Sequence, residues 1–311
     1  MNIDENHNIM LPVSEDHEND ASYLGYMDMI KRLDQFFLFI GSKIPADNSI
    51  IENICTVILQ GVREQREKYI GFILGGEVDG YKTAKSSVNT AILSAAIALG
   101  LDLPYHKIVQ IITGALLHDV GMLRLPVEII NKRGSLTDTE RQRMENHPLL
   151  AYNIVTKELL LADEVGIVVL QHHERWDAKG YPRRIGGEAI EIGARIVSVA
   201  DAFEAMVSQK PYRNSMIGHE AMKNLLADNS RRFDPNVLKA FVKITGLHPI
   251  GSIVQLNNGV LARVVEIRGE APLRPTIQVL ADEGKTIDLL TEKSLFIAKA
   301  MNAKELGCQH P

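Results

Sequence analysis

An apolar run from 105 to 118, with Ile108, Ile111, Ile112, Ala115 and Leu116 at helical spacing, ends on an adjacent His118–Asp119 pair that Gly121 stops. Further along come His147-Pro148, the triplet His172-His173-Glu174, and Asp201 in the middle of an apolar helical stretch from 190 to 208. Imidazoles and carboxylates set into helices that must bury one face are costly unless something neutralises them. Taken singly, each has a bland reading. His118 can rest on helix carbonyls, the triplet can be a solvated turn, and Asp201 can pair with Arg195 or Lys210. Taken together, four such features in one domain point to a metal centre. The set of imidazoles and carboxylates, with no thiolate, suits iron or manganese better than structural zinc. A carboxylate can bridge two ions, and two ions about 3.5–4 Å apart activate water and stabilise in-line displacement at phosphorus.

Other classes are disfavoured by simple counts. The net charge of -5 over 311 residues lacks the basic excess of a DNA binder. Cys55 and Cys308 form no ligand-like pair and no disulfide framework, which favours a reducing compartment. The acidic start lacks the features of a signal peptide, and no apolar stretch reaches membrane-spanning length, so a cytoplasmic location is expected.

The chain divides into four parts. Residues 1–20 carry six acids and no Lys or Arg, the composition of a solvated tail. Residues 21–79 hold two or three helices, either a regulatory module capable of homodimer formation or extra core helices, with a glycine hinge at Gly75-Gly76 and Gly80. Residues 80–246 carry the chemistry-bearing helices. Thr137 to Glu140 has the form of a capping box, Pro148 kinks or restarts a helix after His147, and a helix from 159 to 171 delivers His172 and His173. Residues 176–187, rich in Gly, Pro and Arg, form a loop. In 247–311, β-branched segments at 252–255, 260–266, 276–280 and 286–289 alternate with turn signals, giving a small antiparallel β appendage. The expected class is mainly α, a helical bundle with an N-terminal helical segment and that β appendage.

His118-Asp119 with Gly121, His147-Pro148, His172-His173-Glu174, Gly180-Tyr181-Pro182 and Asp201, in this order, resemble the signature of HD-GYP proteins. The resemblance runs from about Tyr81 to the end, including Leu273-Arg274-Pro275. It implies an HD-type bundle, two divalent ions, iron or manganese, and hydrolysis of cyclic di-GMP to linear pGpG or GMP. By position, Asp119 would bridge the ions, His147, His172 and His173 would complete one shell, and His118 and Asp201 would serve the other. Gly180, Tyr181 and Pro182 would face the nucleotide, with Lys210 and Arg213 on phosphate; those two cations can equally cap the Asp201 helix. A GGDEF-domain protein is the kind of signalling partner the resemblance implies.

Several positions depart from the family pattern. Ser86 stands where a histidine is usual, Met122 where a lysine is, and Lys82 where some members place a glutamate for a third ion. Ala151, Ala178 and Glu204 are smaller changes, the last replacing an aspartate. Loss of one electrostatic donor to the transition state typically costs about 3 kcal/mol, so reduced turnover is expected. Arg124 and Lys132 are candidates to replace the missing cation. The alternative is a catalytically impaired member that binds cyclic di-GMP or a partner protein as a signalling module.

Overall fold

The computed structural model describes residues 20–75, 82–132, 134–208, 218–227, 231–282 and 284–301. The acidic tail up to residue 19, the expected hinge from 76 to 80, Lys210, Arg213 and Cys308 lie outside the described residues.

The organising element is α3 (Lys82–Gly100), buried on every side from Ser87 to Ala98. A helix without a polar face must be surrounded, and this one is built of Ala, Ser, Thr, Val and Ile, small enough for neighbours to approach closely. Packed against it are α1 (Ala21–Gly41), α2 (Ser49–Gly75), α4 (Tyr105–Leu117) and α9 (Ile192–Val207). All contribute to one apolar core, in which Tyr26, Phe36, Ile92, Leu93 and Phe203 are fully buried. The first two helices therefore share the core of the site-bearing helices. Asp20 caps α1 by accepting from the Ser22 amide and pairs with Lys68 of α2 at 2.7 Å.

The short helices α5 (Val127–Ile130), α6 (Asp138–Met144) and α7 (His147–Asn153) follow α4. The expected capping box is present at Thr137 and Glu140, and Pro148 lies in the first turn of α7, so the proline restarts a helix there. One π-turn (Ile154–Glu158) leads to α8 (Asp163–Gln171). Helix α8 begins four residues later than the spacing predicts, because Leu160 adopts a left-handed φ of 53° and ends the preceding turn.

Two helices stand beyond those expected: α10 (Gly218–Ala227) and α11 (Pro235–Thr245). The appendage is a five-stranded antiparallel sheet of β1 (Ile253–Leu256), β2 (Leu261–Glu266), β3 (Thr276–Val279), β4 (Thr286–Asp288) and β5 (Ile297–Ala300), in the order β4-β3-β2-β1-β5. It has its own small core of Val254, Leu256, Ala262, Val264, Ile277 and Leu289. The molecule is mainly α with a C-terminal β appendage, as expected, with one strand more. Among the described residues no helix is long and apolar enough to cross a membrane.

Candidate metal centre

Four helices bring their ends or centres to one point. Helix α4 finishes into His118 and Asp119, and Gly121 follows in a 3-10 turn against α7. A β-carbon at Gly121 would collide with the His147 carbonyl and come within 2.7 Å of the Ala151 amide. Glycine at 121 therefore lets α7 close in, and its first residue meets the carboxylate: His147 Nε2 lies 3.2 Å from Asp119 Oδ1. From the end of α8, His172 Nε2 comes within 4.0 Å of the same oxygen. The other oxygen, Asp119 Oδ2, is 3.6 Å from His118 Nε2, which is also 3.6 Å from Asp201 Oδ1 on α9. Asp119, His147, His172 and His173 each offer an atom within 4.8 Å of the others.

Protonation follows from the hydrogen bonds. The Nδ1 atoms of His118, His147 and His172 lie 2.8, 2.8 and 2.7 Å from the carbonyls of Ala115, Met144 and Val169, each three residues back. A carbonyl only accepts, so each Nδ1 carries a proton, and in the neutral ring the Nε2 lone pair points into the site. His147 Nε2 and His172 Nε2 are 3.5 Å apart, two lone pairs facing each other, and His118 Nε2 is buried with no hydrogen-bond partner. A divalent cation resolves the facing lone pairs of His147 and His172 and can take the place of a proton between His118 and the two carboxylates; a tied-back Nδ1 is the usual support of a metal-ligating imidazole. The residues present fit the metal that the sequence pattern implies.

Electrostatics agree. Burial opposes charge on His118, but the Asp119 and Asp201 carboxylates overcome it and raise its pKa to about 9. Burial, then the neighbouring imidazoles, push His172 well below the usual range; burial and His147 bring His173 to about 4. Burial alone would raise Asp119 and Asp201, yet His118 beside both, with His147 on Asp119, holds them low. One ring is thus protonated in the metal-free protein and would have to lose that proton to hold an ion. Metal affinity is expected to rise with pH up to about 9 and then level off. Calorimetry at pH 7 in buffers of different ionisation enthalpy should show about one proton released per centre filled; equal heats in all buffers would contradict it.

The loop beside the centre is clamped from below. Glu174, buried, accepts from the amides of Arg183 at 2.6 Å and Ile185 at 3.2 Å, and the Tyr181 amide donates to the His173 carbonyl. A β-carbon on Gly180 would lie 2.5 Å from the Arg175 amide nitrogen, the Glu174 Cα and the His173 oxygen, so only glycine fits. The clamp sets the Tyr181 ring 4.8 Å from His173 and 6.3 Å from His147. Burial and the nearby Asp119 and Asp201 charges push the phenol's pKa up, keeping it protonated. Pro182 is exposed at the loop surface. Glu174 is adjacent to the histidines in sequence, but nothing in the pattern points to its amide partners nine and eleven residues on.

Other expectations are revised. Arg195 pairs with Asp234 at 2.7 Å, not with Asp201. Arg124 is taken by the Ile40 carbonyl and Glu158, and Lys132 by Glu140, so neither supplies the cation missing at Met122. Ser86 donates to Glu204 Oε2 at 2.6 Å; Glu204, buried, also accepts from Ser208 at 2.5 Å and Asn89 at 3.3 Å. Tyr26 of α1 closes the chain by donating to Asn89 Oδ1 at 2.7 Å.

The family model described as HD domain matches residues 77–237, and one described as KOW domain associated with HD domain matches 253–309. The cyclic di-GMP phosphodiesterase PdeB of Borreliella burgdorferi is 32% identical over 67% of this chain and 55% of its own length. The cyclic di-GMP phosphodiesterase PA4108 of Pseudomonas aeruginosa is 36% identical over 63% of this chain and 47% of its own. The chain thus spans about half the length of these curated relatives. The fold is similar to that of Bd1817, an HDG"Y"P protein from Bdellovibrio bacteriovorus, at a TM-score of 0.55 and 18% identity, over 75% of this chain and 73% of that one. With the family model covering every helix that brings a histidine or aspartate to the centre, the chain belongs to the HD domain family.

Proposed function

We propose that this protein is a metal-dependent phosphodiesterase acting on cyclic di-GMP, yielding linear pGpG or GMP at a reduced rate. The observation that carries the reading is the convergence of inward-facing imidazole nitrogens on both oxygens of Asp119, beside the clamped Tyr181. The two curated relatives named above act on that dinucleotide.

In this reading Asp119, His147, His172 and His173 hold one ion and His118, Asp119 and Asp201 the other, iron or manganese by donor chemistry. Two such ions supply an activated water and charge neutralisation at phosphorus. The chain's own groups do the rest. The carbonyls of Ala115, Met144 and Val169 fix the imidazole orientations, Glu174 fixes the loop, and the protonated Tyr181 gives a ring face and a hydroxyl donor to the nucleotide. Lys210 and Arg213 remain the proposed phosphate contacts. The division at 79 and 246 belongs to the same proposal, with α1 and α2 either a regulatory or dimerising segment or extra core helices, as their shared core with the site helices favours, and Tyr26 linking them to those helices.

One observation favours a second reading, binding without turnover: Ser86 is spent on Glu204, and neither Arg124 nor Lys132 replaces the lysine absent at Met122. Anaerobically purified protein, supplied with iron or manganese, decides between them. Linear product that a chelator abolishes establishes the phosphodiesterase. Protein that holds metal and binds cyclic di-GMP without product is a receptor.

A further inference from the structure

Along the loop that carries Tyr181 lies a pocket of about 280 Å³ lined by Glu145, Ala178, Lys179, Gly180, Tyr181 and Arg184. Its wall is fixed. Ala178 and Arg184 both hold left-handed φ values, 59° and 56°, and the loop between is tied by the Glu174 clamp and by the Gly187 amide on the Trp176 carbonyl. Non-glycine residues kept in that region mark a conformation the surroundings impose. Opposite stands Glu145 at the end of α6, close enough that its charge acts on the Tyr181 phenol. Among the described residues Glu145, Lys179 and Arg184 form no ion pair.

A carboxylate at the mouth of a site for an anionic phosphodiester repels its ligand unless a hydrogen bond offsets it. Drug-sized ligands occupy about 300–1,000 Å³, so this pocket takes a fragment, a single base. We infer that it is a guanine subsite in which Glu145 reads the base. Guanine presents N1–H and N2–H side by side, and one carboxylate accepts both. Adenine sets its N1 lone pair beside the N6 amine, leaving a carboxylate oxygen facing a lone pair. Lys179 and Arg184 have the chemistry that suits guanine O6 and N7, and Tyr181 offers the ring on which a base stacks. Glu145 is thus a specificity-determining residue of the site.

The inference rests on the cyclic di-GMP reading, and its test separates the two. Affinities of the full chain for cyclic di-GMP and cyclic di-AMP are measured with and without manganese, for wild type, Glu145→Gln and Glu145→Ala. Position 145 is half-buried and glutamine is isosteric there, so the fold is kept. Wild type is expected to prefer cyclic di-GMP, and Glu145→Gln to lower that preference by about ten- to a hundredfold with metal content unchanged. Guanine preference unaltered in both variants overturns the assignment and leaves the function reading standing. Wild type that binds neither dinucleotide overturns the function reading, and the guanine subsite falls with it.

Discussion

In the proposed two-ion site, Asp119→Asn is expected to strip the protein of metal and abolish hydrolysis, while His147→Ala depletes chiefly one ion. The side chain is the hinge of the site because its two oxygens serve different imidazoles: Oδ1 faces His147 and His172, Oδ2 faces His118. Asparagine keeps the shape but removes the charge and turns one ligating oxygen into an amide NH2, which donates and does not ligate. Losing a group that merely supports a ligand costs about 10–100-fold in metal affinity. Losing the anionic centre of the set should cost at least about 10³-fold, since both ions lose a ligand at once. His147 touches only one of the two oxygens, so its loss leaves His118, Asp119 and Asp201 in place. Metal analysis of the two purified variants checks this. Equal depletion in both would mean that Asp119 does not bridge, and full metal content in Asp119→Asn would remove it from the centre altogether. A melting curve separates loss of metal from loss of fold, because Asp119 also pairs with His118 and His147 in the metal-free protein.

What the sequence shows and hides has a physical basis. The His118–Asp119 pair is legible because it interrupts an apolar period, and a polar pair in a buried helix end needs a reason. The capping box at Thr137 and the first four strands are legible from local turn and cap chemistry. Helix α11 carries equally local signals that go unused in the expected architecture: Asp234 as N-cap, Pro235 in the first turn and Gly246 at φ 69°. Strand β5 is different. Ile-Ala-Lys-Ala is a weak strand sequence, half exposed at the sheet edge, and it forms because β1 offers a free edge, which no local pattern announces. The same holds within the site. The Glu174 clamp, the close approach at Gly121 and the Ser86–Glu204 contact across 118 positions are tertiary facts. A departure such as Ser86 therefore reads from sequence as a lost imidazole and nothing more, whereas the structure supplies the partner that occupies its place.

That partner changes what repair of the site requires. Ser86→His alone, which the sequence pattern suggests, places an imidazole where the Glu204 carboxylate lies 2.6 Å from the serine oxygen. Glu204→Asp alone withdraws that carboxylate by one methylene from donors on Ser86, Asn89 and Ser208, and leaving the buried Asn89 amide unpaired costs about 1–3 kcal/mol. Each single variant is expected to melt lower than the parent, by about 2–4 °C for every 1 kcal/mol lost in a domain of this size. The double variant Ser86→His/Glu204→Asp recovers the loss, because the shorter acid vacates the space the ring needs and can accept from it; the coupling should fall within about 0.5–3 kcal/mol. Glu204 sits one turn beyond Asp201 on α9, so residue 86 faces the Asp201 side of the centre. A histidine there adds an imidazole next to His118 and Asp201, and metal content and turnover should rise together, turnover by about tenfold or more if the added ligand restores part of the transition-state stabilisation. Melting curves, metal analysis and product formation on the four proteins test this. A double variant no more stable than the singles would mean that Ser86 and Glu204 do not exchange volume, and one that recovers stability without gaining metal would place residue 86 outside the reach of the ion and turn the proposed loss of rate to Met122.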